Sequence, residues 1–463
     1  MKQLLLFVGI LFTTFSNAQD GTIDPSYNTG TGFNTAAIDS YLFSDDKLLV
    51  GGIFTTYNGT TVNGIVKLNI DGTIDSSFNT GTGLNTGGYI SAINVQTDGK
   101  ILIGGNFTTY NGVSKNRIAR LNADGTLDTS FDAGTLIANN QVSKIRIQTD
   151  GKIVFTGTFS GTHNRILRLN SDGSLDTSFV TGTGFSNTAN AILILSDNKI
   201  LIGGSFSSYN GTTTADGIVK LNSDGTIDAS FNAGTGANNQ IANFTQQADG
   251  KIIVNGNFSV FNGTTSRLVR INPDGSLDTT FNSGTGPSDM VRYATQSSNG
   301  KIYIGGFFTS YNGVSRSRIA RLNVDGSLDT SFVPGTGFST GINTSSINFQ
   351  SDNKIIMIGD FTTYQGITKN RIVRVGDASL STTSTTFSSA LTNYPNPIDT
   401  DLFIDSSTNG TIEVFDTNGR YILKQNLAVG TTKIQCTDLE AGIYIAKVTN
   451  ELNETKTFKL IKK

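Results

Sequence analysis

Few side chains in this chain suit acid–base or nucleophilic work. There is one histidine, His163, one cysteine, Cys436, and four glutamates, all of them beyond residue 400. A Ser-His-Asp relay through His163 is formally available. His163 sits, however, in the one shortened loop of a repeating pattern, in place of a Tyr-Asn-Gly segment, so a solvated loop imidazole is the simpler reading. Aspartates are plentiful, and paired carboxylates can hydrolyse glycosides. Most of them recur at fixed places in every copy of the pattern. Those that do not, Asp39, Asp132, Asp216, Asp289 and Asp360, form no recognisable pair. The residues therefore point away from an enzyme, and polysaccharide degradation is the alternative.

Three further patterns could bind rather than react. The phrase Asn122-x-Asp124-Gly125-x-x-Asp128 resembles part of an EF-hand loop. Its first-ligand position holds Arg120 and its twelfth Phe131, which excludes that loop; hairpin chemistry explains the residues without a metal. No cofactor is implied. Tyr57, Tyr110, Tyr209, Phe261, Tyr311 and Tyr364 each precede Asn-Gly or Gln-Gly and would form a ring on one face. Exposed aromatics beside amides suit sugar stacking, because tyrosine offers a flat apolar body with a polar tip. The competing reading packs the rings between repeats, since a residue present in nearly every copy usually serves the copy. Lys144, Arg146 and Arg292 interrupt a column of uncharged residues. Solvated charges explain them most simply, and an anion site more specifically.

These residues ride on a block of about fifty residues that occurs seven times, the length expected of a propeller blade or solenoid unit. In the second copy four strands are predicted: Tyr89 to Gln96, Lys100 to Phe107, Arg117 to Asn122 and Thr126 to Phe131. Asp-Gly turns join the first pair and the last pair. Four antiparallel strands per copy make a blade. If Ala123-Asp124-Gly125 is a loop with Gly125 left-handed, Leu121 faces Leu127 and Arg120 faces Asp128. The same register pairs Lys67 with Asp75, Arg168 with Asp176, Lys220 with Asp228, Arg270 with Asp278 and Arg321 with Asp329.

The ends of the repeat array decide between ring and solenoid. The chain after residue 18 opens on Asp20-Gly-Thr-Ile-Asp24-Pro-Ser-Tyr27, an outer strand with no blade before it. The last copy ends at Arg371-Ile-Val-Arg-Val375, one strand short. Pairing Arg374 with Asp24 and Val375 with Ile23 would close a ring, whereas a solenoid would need polar caps. The expected fold is all-β: a seven-bladed β-propeller closed by an N-terminal outer strand, then a small C-terminal β-sandwich. Residues 20–376 resemble the delta-60 repeat family through their Asp-Gly-Lys, Gly-Gly-x-Phe and Leu-Asn-x-Asp-Gly-Thr-x-Asp phrases. That resemblance implies a β-propeller and no settled activity.

Composition and targeting signals fix the context. The net charge of −2 offers no footprint for nucleic acid. One cysteine excludes an internal disulfide framework. Residues 1–18, with Lys2, an apolar stretch and Ser16-Asn17-Ala18, read as a signal peptide. No other stretch is long enough to span a membrane, so none is expected in the mature chain. Residues 19–376 would be the propeller, 377–393 a Ser/Thr-rich linker, and 394–463 a sandwich of short alternating strands. Within the last segment Tyr394, Pro395, Asn396 and Pro397, then Gly419, Gly442, and Lys459 to Lys462 resemble the type A sorting domain of the type IX secretion system. The resemblance implies a Bacteroidetes-type bacterium, passage across the outer membrane, and removal of the domain by a sortase-like protease. The partners it implies are the secretion machinery and that protease. The expected product is a secreted or surface protein for adhesion, or for capture of an extracellular glycan or protein, with a purely structural surface role as a further alternative.

Overall fold

The computed structural model of the protein describes residues 20–134, 136–137, 140–160, 164–339, 346–352, 354–376, 391–406, 408–416, 420–450 and 455–463. The segment read as a signal peptide, His163, Gly419 and most of the segment read as a linker lie outside these residues. The chain divides into two compact units near residue 380.

Among the described residues the first unit holds seven three-stranded antiparallel sheets, each ordered inner, middle, third. The innermost strands are Ala37–Leu42, Tyr89–Val95, Val142–Ile147, Ala189–Ile194, Ile241–Gln246, Val291–Gln296 and Ser346–Phe349. They define blades one to seven. Each blade's middle strand is buried almost throughout, as in Leu48–Gly52 and Ile101–Asn106. This accounts for runs apolar on both faces, because each sheet is covered by a neighbour on either side. The core is accordingly shared between blades. One apolar cluster joins Leu201 and Ile218 of blade four to Ile252 and Phe261 of blade five. A blade alone cannot bury its faces, which is why the repeats must stack.

Glycine sets the blade spacing at one point. Middle-strand Gly51 and Gly104 stand so close to the next blade that a Cβ would lie 2.6 Å from Ile90 and from Val142. Where Thr156 or Ile358 replaces that glycine, the next blade begins its inner strand with the small Ala189 or Ala37; Asn255, the third replacement, faces Val291 and instead donates to its carbonyl at 2.9 Å. Volume is thus exchanged across the interface at close packing density.

The fourth strand of each blade is a single bridge, such as Leu121 with Leu127 or Ile271 with Leu277. The sequence reading extended it from Thr126 to Phe131. The chain instead leaves the sheet after Asp128, whose Oδ1 accepts the Ser130 N–H at 3.0 Å and draws the backbone into a turn. The Leu121–Leu127 register and the left-handed Gly125 (φ 88°) are as expected. Blade seven takes its fourth member from the N-terminus, where Ile23 bridges Val375. Gly21 N donates to Gly376 O and Asp24 N to Arg374 O, both at 2.9 Å. Asn348 Nδ2 donates to Ser40 Oγ at 2.9 Å, joining blade seven to blade one. The seven-bladed ring closed by an N-terminal strand is borne out.

The second unit is a sandwich of a three-stranded sheet (Leu391–Tyr394, Asp401–Ser406, Gly430–Gln435) and a four-stranded one (Tyr421–Leu427, Gly410–Asp416, Gly442–Asn450, Thr455–Lys462). Residues 391–393, placed in the linker by composition, are part of its first strand. Alternate residues Leu402, Ile404, Ile412, Val414, Ala446 and Val448 face inward and form the core with the buried Cys436.

Candidate functional site

The outer rim of the propeller carries most of its ion pairs. Arg120 Nε lies 2.7 Å from Asp128 Oδ2, and Lys100 Nζ approaches the same oxygen at 3.0 Å. Asp176, Asp228, Asp278 and Asp329 are clamped in the same way by a third-strand cation and a lysine opening the middle strand. Arg374 and Lys354 clamp Asp24 at 2.8 and 3.1 Å. Each aspartate's other oxygen accepts from a serine or threonine two residues on, for example Ser130 and Thr280. The cations also reach across blades: Arg270 donates to Val324 O at 2.7 Å and Lys220 to Pro273 O at 3.1 Å. Blade one departs from the expected pairing. Asp75 is held by Lys47 at 2.9 Å, while Lys67 lies over the Phe43 ring, 4.2 Å from its centroid. With every oxygen engaged, these carboxylates serve the fold. Among the described residues no group of three or more His, Cys, Asp or Glu side chains is placed to hold a metal.

The aromatic ring is not a stacking surface. Tyr57, Tyr110, Tyr209, Phe261, Tyr311 and Tyr364 are all at most 1% exposed. Their hydroxyls, where present, donate to outer-turn carbonyls: Tyr57 to Gly72 at 2.7 Å, Tyr110 to Gly125 at 2.7 Å, Tyr209 to Gly225 at 2.9 Å, Tyr311 to Gly326 at 2.6 Å and Tyr364 to Gly21 at 2.7 Å. Burial pushes the hydroxyl pKa values above the usual tyrosine range. The assignment of these six to ligand contact is therefore corrected. Each ends the first strand of a short hairpin, and in five of the six the left-handed Asn-Gly tip turns the chain while the asparagine accepts a backbone N–H, as Asn111 does from Thr82 at 3.0 Å; after Tyr364, Gln365 takes that place and donates to Gly21 O at 3.1 Å. Tyr311→Phe should cost about 1 kcal/mol, the net value of one buried hydrogen bond, and leave ligand binding unchanged. Phe261, which lacks the hydroxyl in blade five, is the natural precedent, and a denaturant titration beside a binding isotherm would check it.

The distinctive cavity lies in the central channel, with a volume of about 160 Å³. A β-bulge interrupts the innermost strand of each of blades one to six just after its start. A bulge re-aims a side chain. The extra residues are Ile38, Ser91, Ser143, Asn190, Ala242 and Arg292, and all six line the cavity. Lys144, one residue past its bulge, and Tyr293 line it too. Arg292 is solvent-exposed and Lys144 half-buried. Neither makes a hydrogen bond or ion pair with a described residue, whereas Arg146 donates to Ile145 O at 2.8 Å. Burial, opposed by Asp39 and reinforced by the charges of Arg146 and Arg292, holds the Lys144 ammonium below the usual lysine range. Asp39, the one acid on the described innermost strands, accepts the Ile93 N–H at 2.9 Å. The sequence grouped Asp39 with scattered carboxylates; on the innermost strand of blade one it holds the position that Lys144 holds in blade three, so the column of the three cations also carries an acid.

In the second unit the sorting-motif residues converge. Asn396 Nδ2 donates to Lys459 O at 2.7 Å and its Oδ1 accepts the Ile461 N–H at 2.9 Å. Ile398 bridges Lys462, which also pairs with Gly442. Pro395, Asn396 and Pro397 are exposed, and Tyr394 ends the first strand.

Fold and motifs together define a seven-bladed β-propeller joined to a secretion sorting domain. The DUF5122 beta-propeller model, a domain of unknown function, matches residues 44–78, 96–131, 148–179, 195–231, 247–281, 297–332 and 350–375, just over half of the sequence. The chain belongs to that family. The secretion system C-terminal sorting domain matches residues 392–463, which makes the protein a secreted or cell-surface one that engages the secretion machinery. No curated protein matches the chain. Similar solved structures include the extracellular domain assigned to a one-component system of Bacteroides thetaiotaomicron, at 13% identity and a TM-score of 0.40. That match covers 92% of this chain and 61% of the other. YCF48 from Cyanidioschyzon merolae is 10% identical over 74% of this chain and 96% of its own, with a TM-score of 0.43. A gluconolactonase from Xanthomonas campestris is 12% identical over 77% and 97%, with a TM-score of 0.36. None of them carries its activity over to this chain. No helix among the described residues is long and apolar enough to cross a membrane.

Proposed function

We propose that the protein is a non-catalytic binding module, an adhesin or a capture protein for an extracellular glycan or protein. In this reading the type IX machinery exports it and a sortase-like protease removes residues 394–463, leaving the propeller anchored or released. One contrast supports the reading. Each outer-rim aspartate is neutralised by cations, and nearly the same residues do so in every blade. The bulge column, by contrast, reads Ile, Ser, Ser, Asn, Ala and Arg from blade to blade and faces an open cavity. A scaffold repeats what holds it together; what differs at one equivalent position is free to serve a ligand. Retaining and inverting glycosidases need two carboxyl groups across the substrate, and among the described residues the channel strands offer Asp39 alone.

The test is a binding screen of the purified protein against algal, plant and host glycans, with product analysis of each ligand. Saturable binding with the ligand recovered intact is the expected result. Recovery of shortened products would replace this reading with that of a polysaccharide-degrading enzyme.

A further inference from the structure

We propose that the channel cavity binds the acidic group, carboxylate or sulfate, of an anionic saccharide, with Arg292 and Lys144 as its cationic contacts. The inference rests on the binding function above and specifies its ligand.

Three observations carry it. The first is charge. The innermost strands bear Lys144, Arg146 and Arg292 against Asp39, three cations and one acid. Asp39 is already engaged by the Ile93 N–H. Like charges gathered in one narrow channel repel, and an anion between them removes that repulsion. The second is availability. On the outer rim Arg120, Arg168, Arg270, Arg321 and Arg374 are each locked to an aspartate. Lys144 and Arg292 have no such partner among the described residues, yet both line the cavity. Arg292 is the bulge residue of blade six, so the backbone irregularity itself turns the guanidinium inward. Its strand is held from behind by buried Asn255, whose Nδ2 donates to Val291 O at 2.9 Å. The third is the rest of the lining. Asn190 and Gln240, with Gln141 Nε2 and Asn243 Oδ1, offer amide donors and acceptors suited to hydroxyl groups beside the ring of Tyr293, while Gln141 Oε1 and Asn243 Nδ2 already bond to Tyr89 and Ala294. The volume admits a group the size of one sugar ring and excludes a nucleic-acid duplex. A hydroxylated anion uses both kinds of contact, whereas a bare inorganic ion uses only the cations.

The experiment is calorimetry on the full protein with four probes: a galacturonate oligosaccharide, a sulfated galactose oligosaccharide, the neutral galactose oligosaccharide and sodium sulfate. At least one acidic oligosaccharide should bind ten times more tightly than the neutral one and than sulfate, and the two acidic arms show which oxyanion is preferred. Binding should weaken with added salt. Arg292→Gln and Lys144→Gln should each lower affinity tenfold or more, the loss of one charge-assisted hydrogen bond. Asp39→Asn should raise affinity several-fold, because it removes the competing negative charge and keeps an acceptor for Ile93. A gain of this kind cannot arise from misfolding. Equal affinity for neutral and acidic sugars, wild-type affinity in both cation variants, or no binding by any saccharide probe would overturn the proposal. Sulfate binding as tightly as either oligosaccharide would overturn its saccharide part. Neutral glycan binding untouched by the variants would sink the anion site and leave the binding function standing. Turnover of an acidic oligosaccharide that the cation variants abolish would do the reverse.

Discussion

Removing residues 20–27 is expected to open the propeller ring and lower its stability by roughly 5–8 kcal/mol. The figure follows from what this short segment does. It supplies the Ile23–Val375 bridge and three backbone hydrogen bonds to Arg374 and Gly376, each worth about 1 kcal/mol net. It carries the Tyr27 ring, buried beneath the Arg374 guanidinium at 4.5 Å. Above all it carries two carboxylates. Asp24 is the ion-pair partner of the buried Arg374, and Asp20 lies 2.8 Å from Arg321, which is fully buried. Deleting one partner of a buried pair leaves an uncompensated charge, which costs about 3–5 kcal/mol. Arg321 keeps Asp329, so the larger share falls on Arg374. Tyr364 also loses the Gly21 carbonyl that its hydroxyl reaches. Asp24→Asn, which keeps the strand and an acceptor for Arg374 but removes the charge, should cost less than the deletion. Denaturant unfolding of both variants would measure this, and a melting temperature for the deletion within 2 °C of the parent would show that the strand does not close the ring.

How much of this was legible from residues alone differs between rim and channel. The rim was readable because turn chemistry is local. Asp124-Gly125 can turn the chain in few ways, and once Leu121 faces Leu127, Arg120 must face Asp128. The Ile23–Val375 closure follows from the same register. Blade one misled because Phe43, at the end of its first hairpin, draws Lys67 away from Asp75. The aromatic ring left two readings open, since Tyr-Asn-Gly has one local signature whether the ring faces solvent or the neighbouring turn. Burial depends on the incoming segment: Phe33, in the stretch that leads into the innermost strand of blade one, bridges Tyr57 of that blade and packs on it at 4.7 Å. The channel was the least readable part. A bulge shifts the side-chain period by one residue, and nothing in Val291-Arg292-Tyr293 announces it. Strict alternation would have set Arg292 and Tyr293 on opposite faces, yet both line the cavity.

The rim clamps make a second strong prediction, that the propeller is acid-labile. Burial alone would raise the pKa of Asp24 and Asp75. Hydrogen bonds from Ser26 and Lys354, with the charge of Arg374, outweigh it for Asp24, and those from Ser77 and Lys47 for Asp75. Both are held at about 2. Asp128, Asp176, Asp228, Asp278 and Asp329 are depressed further by the same contest of burial against hydrogen bonds and cations. In the unfolded chain each returns to about 4. A carboxylate whose folded pKa lies below its unfolded value binds protons more readily when unfolded. Its stabilisation is therefore complete above about pH 5 and drains as pH falls through 4 towards 2. By pH 2.5 each clamp should have lost about 1 kcal/mol after allowance for solvent screening. The clamps sit in separate blades, so the losses add to roughly 7 kcal/mol, comparable with the whole stability of a typical domain. Protonation also leaves the buried arginines facing neutral partners, which works in the same direction. Circular dichroism melts from pH 7 to pH 2 should show a plateau to about pH 5 and then a steep fall. Asp278→Asn should lower the plateau and shrink the acid-dependent part by about one seventh, because one proton-linked group is gone. A melting temperature that stays level down to pH 2.5 would mean that the rim carboxylates are not linked to folding, and the clamps would have to be read as surface pairs of little energetic weight.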